Sequence, residues 1–164
     1  MVTTRLLLLL VTIQSLAAQD NFKEVLGYYN KGNIPYIKVD ELTNIKAPVI
    51  VLDAREKSEY EVSHLPNAVY VGYDDFDLKS TLGLLKDKTQ TIVVYCSIGV
   101  RSEDVASQLK SQGYIRVFNL YGGIFEWVNQ KQIVYNSQNQ VTKEVHAYSE
   151  AWSKWLIRGV KVYD

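Results

Sequence analysis

Apolar residues in this chain fall into short, nearly unbroken runs that alternate with stretches where they recur every three or four positions. Val49-Ile50-Val51-Leu52 runs without a polar break to Asp53, and Thr91-Ile92-Val93-Val94-Tyr95 runs the same way to Cys96. Such runs fit strands buried on both faces, as in a parallel sheet covered by helices. Tyr36-Ile37-Lys38-Val39, Val69-Tyr70-Val71 and Ile115 to Leu120 predict three further strands. Helical spacing appears between Asn21 and Tyr29, where Phe22, Val25, Leu26 and Tyr29 share a face. Shorter helices are expected from Asp40, from Ser58 to Val62, from Leu78 to Leu85, from Ser102 to Gly113, and after the paired glycines Gly122-Gly123. This alternation predicts an α/β fold, with a mostly parallel central sheet of about five strands and helices on both faces.

The two ends of the chain depart from that rhythm. Met1 to Ala18 has a positive start at Arg5, an apolar stretch from Leu6 to Val11 with Ile13, and a small-x-small site at Ser15-Leu16-Ala17. It reads as a secretory signal, too short to cross a bilayer, so the mature chain is expected to be exported, periplasmic or secreted, and not inserted in the membrane. Residues 19–35 then form an N-terminal helical extension, 36–130 the α/β domain and 131–164 a C-terminal extension. The extension is expected to end in an amphipathic helix with Tyr148, Trp152, Trp155 and Leu156 on one stripe packed against the domain.

Charge excludes some functions. Lysine plus arginine and aspartate plus glutamate number 18 each, and removal of Arg5 with the signal leaves 17 basic against 18 acidic residues. No basic excess points to nucleic acid or an anionic membrane surface. Two histidines and one cysteine cannot make a zinc site unaided, and no phosphate-binding glycine motif occurs.

The candidate chemistry lies where the second long apolar run ends. Cys96, the sole cysteine, opens the loop Cys96-Ser97-Ile98-Gly99-Val100-Arg101, with a helix directly after it. A loop feeding into a helix beyond a strand's carboxyl end turns successive backbone N–H groups inward and stabilises an anion. Gly99 suits the curl, Ser102 is the expected helix N-cap, and Arg101 places a guanidinium nearby. These surroundings favour the thiolate, the reactive form of cysteine. Most free cysteines serve as small buried hydrophobes, but an unpaired one is hard to justify as structural in an exported protein.

Other polar groups read as support. Asp53 and Arg55, emerging at a strand's carboxyl end, suit a local ion pair or turn fastener. His64, in the turn Ser63-His64-Leu65-Pro66-Asn67-Ala68, suits a loop-fixing hydrogen bond better than a general base. His146 has no assignable role.

Five of these segments in order, across Tyr36 to Gln130, make the chain similar to the single-domain rhodaneses, the thiosulfate sulfurtransferase family. They are Leu52-Asp53-Ala54-Arg55, Glu59-Tyr60, the turn Ser63 to Ala68, the C-x-x-G-x-R loop from Cys96 to Arg101, and Leu120 to Trp127. In the turn, Ser63 and Asn67 stand where that family commonly has glycines. The resemblance implies that Cys96 takes a sulfur atom as a persulfide from a donor such as thiosulfate and passes it to a thiol or cyanide. It implies substrate-binding roles for Ser97, Ile98, Gly99, Val100 and Arg101, with Arg101 holding the anionic donor. Asp53, Arg55 and His64 would support the site, and no cofactor would be needed. Phosphatases and arsenate reductases of similar fold carry a loop one residue longer, which sets them aside. A non-catalytic sulfide carrier or protein-interaction module remains the alternative, because fold does not fix function.

Overall fold

The computed structural model describes residues 22–164, so the expected export signal lies outside the described residues. Five strands pair in parallel in the order β1-β5-β4-β2-β3. They are β1 (Tyr36–Ile37), β2 (Val49–Asp53), β3 (Val69–Tyr70), β4 (Thr91–Tyr95) and β5 (Val117–Leu120). β4 lies in the middle of the sheet with all five residues buried, as its unbroken apolar run requires. In the register, Asp53 is level with Tyr95 and Val94 with Asn119, so the carboxyl ends of β2, β4 and β5 finish together. From the β2–β4 boundary the chain winds outward in opposite directions, to β3 on one side and β5 on the other. Beyond the strand ends at such a reversal a crevice opens.

Helices cover both faces, as expected. On one face α4 (Leu78–Leu84) and α5 (Arg101–Ser111) bury Val105, Ala106 and Leu109 against Leu52, Ile92 and Val94. The other face carries α1 (22–29), α2 (Val39–Asn44), α3 (Lys57–Val62) and α6 (Gly123–Asn129), and its core includes Phe22, Leu26, Val39, Val93, Tyr95, Ile124 and Phe125. The N-terminal extension therefore contributes to the core. Phe22 and Leu26 are fully buried, and Phe22 meets Tyr121 edge-on and stacks with Trp155.

Two local expectations are corrected. The helix after the cysteine loop begins at Arg101, with Val100 at the cap position in helical conformation, so Ser102 lies inside the first turn and is not the N-cap. The loop curls straight into the helix and leaves no extended residue for a serine cap to occupy. The C-terminal extension carries four short strands where only a helix was expected: β6 (Val134–Tyr135) pairs with β7 (Val141–Thr142), and β8 (Glu144–His146) pairs in parallel with β9 (Val160–Val162). Only α7 (Glu150–Ser153) is helical there, because Tyr148 has φ of 65° and Ser149 is extended, which interrupts the helical run. The apolar residues still turn inward in part. Leu156 is buried and Trp152 and Trp155 pack against the core, whereas Tyr148 is half exposed.

Candidate active site

The loop after β4 is held from its outside. Ile124 and Phe125 N–H, orphan donors of the first turn of α6, reach the carbonyls of Cys96 and Ser97 at 3.0 and 3.1 Å. The Gly99 carbonyl accepts from the Asn30 and Asn119 side-chain amides, both at 2.8 Å. With these carbonyls anchored outward, the Gly99 N–H turns inward and donates to Cys96 Sγ at 3.1 Å. Gly99 has φ of 114°, which an L side chain would oppose. At Gly123 the approach is closer still, since a Cβ there would lie 2.2 Å from the Cys96 carbonyl oxygen.

Cys96 is 1% exposed, but its sulfur does not sit among hydrocarbon as a structural thiol would. Besides the Gly99 amide, the fully buried Ser102 hydroxyl lies 3.5 Å from Sγ and 2.8 Å from Asn119 Oδ1. That hydroxyl has one proton and two acceptors in reach, so it can turn toward the sulfur as negative charge forms there.

Arg101 projects toward α3. Its Nη1 and Nη2 donate to Glu59 Oε2 and Oε1 at 2.6 and 2.8 Å, and Nη2 also donates to Ser97 Oγ at 3.0 Å. Glu59 is oriented by the Glu56 N–H at 3.0 Å and by the Ser97 hydroxyl at 3.1 Å. Burial opposes ionisation of Glu59, but the hydrogen bonds and charge of Arg101, aided by Arg55, outweigh it and hold the carboxyl below its ordinary range. Burial likewise opposes the Arg101 charge, and Glu59 together with negative charge at Cys96 raises its pKa above the usual value. The Tyr148 ring lies 4.8 Å from this guanidinium and the Tyr73 ring 6.0 Å.

Asp53 and Arg55 form the ion pair that their positions suggest. Asp53 Oδ1 accepts from Arg55 N and Nε at 3.0 and 2.9 Å, and Oδ2 accepts from Nη2 at 2.7 Å. Tyr95 donates its hydroxyl to Asp53 and accepts from Leu65 N–H, while Arg55 donates to the Ser63 carbonyl at 2.6 Å. This buried cluster ties the end of β2 to the turn before β3 and to the strand leading into Cys96. His64 stacks on Tyr60, with its Nδ1 3.0 Å from the Leu65 carbonyl, and its backbone exchanges hydrogen bonds with Tyr135. It fastens the turn to the C-terminal extension. Asn67 takes a φ of 56°, replacing a glycine there as asparagine readily does.

The structure thus gathers Cys96, Ser97, Gly99 and Arg101 at one site, with Asp53, Arg55 and His64 supporting the neighbouring turns, whereas the Ile98 side chain is buried in the core and Val100 packs against that core. It adds Glu59, Ser102, Asn119 and Tyr148. Glu59 adjoins Tyr60 in one of the five family segments, yet the sequence assigned it no role at the site. Tyr148, far away in the chain, was expected only as part of the packing stripe of the C-terminal extension. Among the described residues no group of three or more His, Cys, Asp or Glu side chains is placed to hold a metal ion.

Comparison with known proteins agrees with this geometry. The family model described as a rhodanese-like domain matches residues 38–130. The chain is 38% identical over 98 residues to a tRNA uridine(34) hydroxylase of Hamiltonella defensa, covering 57% of this chain and 28% of that protein. It therefore spans less than a third of such relatives. A rhodanese-like domain protein of Staphylococcus aureus superposes with a TM-score of 0.51 at 30% identity, covering 57% of this chain and 91% of that one. A thiosulfate sulfurtransferase of Pseudomonas aeruginosa shares the fold alone, with a TM-score of 0.60 at 20% identity over 85% of this chain and 26% of that one. With its family segments in order and their side chains converging beyond β2, β4 and β5, the chain belongs to the rhodanese-like domain family.

Proposed function

We propose that the protein is a sulfurtransferase that carries sulfane sulfur on Cys96. The observation that supports this most is the inward Gly99 N–H at 3.1 Å from Cys96 Sγ, backed by the Ser102 hydroxyl. Donors in this position stabilise a sulfur anion both before and after it accepts a second sulfur. In the first step the Cys96 thiolate attacks the outer sulfur of the donor, a new S–S bond forms, and the donor's own bond breaks with its electron pair on the leaving group. With thiosulfate the leaving group is sulfite. In the second step a thiol or cyanide removes the outer sulfur and regenerates the thiolate, with thiocyanate as the product from cyanide.

A small-molecule donor and acceptor suit this chain better than RNA, despite the names of some relatives. Basic and acidic residues balance over the whole sequence, and carboxylates flank the loop arginine. Export from the cytoplasm, carried by the sequence of residues 1–18, is part of the same proposal.

The near-complete burial of Cys96 favours one alternative, a carrier that stores sulfur until a partner protein opens the site. Turnover separates the two. Purified protein supplied with a sulfane-sulfur donor and cyanide is expected to release thiocyanate repeatedly, and Cys96→Ala is expected to release none. One sulfur taken up and never discharged to a small acceptor identifies the carrier. Equal turnover by Cys96→Ala refutes both readings.

A further inference from the structure

In the resemblance, Arg101 holds an anionic donor, but its guanidinium is already engaged. Both terminal nitrogens bond Glu59, at 2.6 and 2.8 Å, and Glu56 Oε1 lies 3.9 Å from Nη1. Glu103, in the first turn of α5, is 4% exposed and takes as partners the Gly32 N–H and the Asn119 amide, with no cation in a salt bridge among the described residues. Asp104, next to it, accepts from the hydroxyl of Tyr73, one of the two tyrosines near the Arg101 guanidinium. Ser97, Ile98 and Val100 add no charge. Arg55 is sequestered by Asp53. The surroundings of the loop therefore hold more carboxylates than cations.

We infer that Glu59 is a specificity-determining residue: by occupying Arg101 it turns the site away from dianionic donors such as thiosulfate and toward small organic persulfides whose carrier group is neutral or cationic. This inference rests on the sulfurtransferase proposal and deepens it. The transfer balances without any further reactant. The Cys96 thiolate attacks the outer sulfur of R–S–SH, the donor's S–S bond breaks with its electron pair leaving on R–S⁻, the new S–S bond forms at Cys96, and the transferred sulfur keeps its proton. A carrier group such as an ammonium adds attraction to Glu56 and Glu103, whereas a carboxylate or sulfonate meets repulsion.

The test is a charge series on the unaltered full chain. Cys96 loading is followed by intact mass with the persulfides of cysteamine, mercaptoethanol and mercaptopropionate, and with thiosulfate. At low salt the cationic carrier is expected to load fastest and the anionic one slowest, over a range of about tenfold. The order is expected to compress as salt rises from about 0.01 M to about 1 M and the screening length falls from about 30 Å to about 3 Å. E59Q, which frees the guanidinium, is expected to raise the thiosulfate rate about tenfold relative to the mercaptoethanol persulfide. Because Glu59 is buried, E56Q at the half-exposed neighbour provides a second variant, expected to narrow the series. Thiosulfate or mercaptopropionate persulfide loading fastest, with rates that rise as salt is lowered, overturns the inference while leaving the sulfurtransferase proposal standing. No sulfur uptake from any donor overturns both.

Discussion

Ser102 shows how one atom changes its meaning between sequence and structure. Its place after the loop suggested a helix cap, yet its hydroxyl is fully buried between Asn119 Oδ1 and Cys96 Sγ. Ser102→Ala is expected to slow alkylation of Cys96 by iodoacetamide about fivefold, the worth of one hydrogen bond near 1 kcal/mol. An unchanged rate would mean that the hydroxyl serves Asn119 alone. Cys96, Gly99 and Arg101 were legible because a thiol, a glycine and a guanidinium at fixed spacing admit few explanations. Glu59 was not, since a glutamate near a helix start is ordinarily solvated, and only the approach of Arg101 from 42 residues away reveals its partner.

Strands were the most legible elements. β4 is buried on both faces throughout and β2 is partly buried until Leu52 and Asp53, which are fully covered, and the sequences of both contain little besides apolar residues until the strand ends. The C-terminal extension was misread because its apolar spacing imitates a helix, and nothing in the sequence marks the positive φ at Tyr148. The turn into α6 was legible from Gly122-Gly123, and here the backbone needs both residues. Gly122 and Gly123 have φ of 72° and 54°, and the first turn of α6 clasps the Cys96 and Ser97 carbonyls. Gly123→Ala would drive a methyl group into those carbonyls and is expected to cost more than about 2 kcal/mol in denaturant unfolding. It should also abolish sulfur uptake at temperatures where the variant remains folded. A variant with parental stability would show that the turn shifts freely.

For the whole molecule, two buried carboxyls set opposite pH dependences. Glu59 has its pKa lowered, so the stability it confers is present above its unfolded value, about 4.3, and is lost as pH falls through the folded one. Glu126 has its pKa raised by burial, against hydrogen bonds from Gln130 and Asn129, so its contribution is complete below the unfolded value and is lost as pH rises through the folded one. Glu126→Gln is therefore expected to raise Tm at pH near 7, with the difference closing as pH falls toward about 4. A Tm difference that widens in acid would contradict that assignment. Both extensions join the domain: Phe22, Val145, Ala147 and Leu156 are buried in the same core as β4, and Asn30 and Tyr148 reach the loop or its arginine. With one cysteine in the chain, intact-mass spectrometry of the full protein after exposure to a small organic persulfide reports directly on Cys96. A gain equal to one sulfur atom, removed by cyanide and absent in Cys96→Ala, is the predicted result. An unchanged mass, or an equal gain in Cys96→Ala, would contradict it.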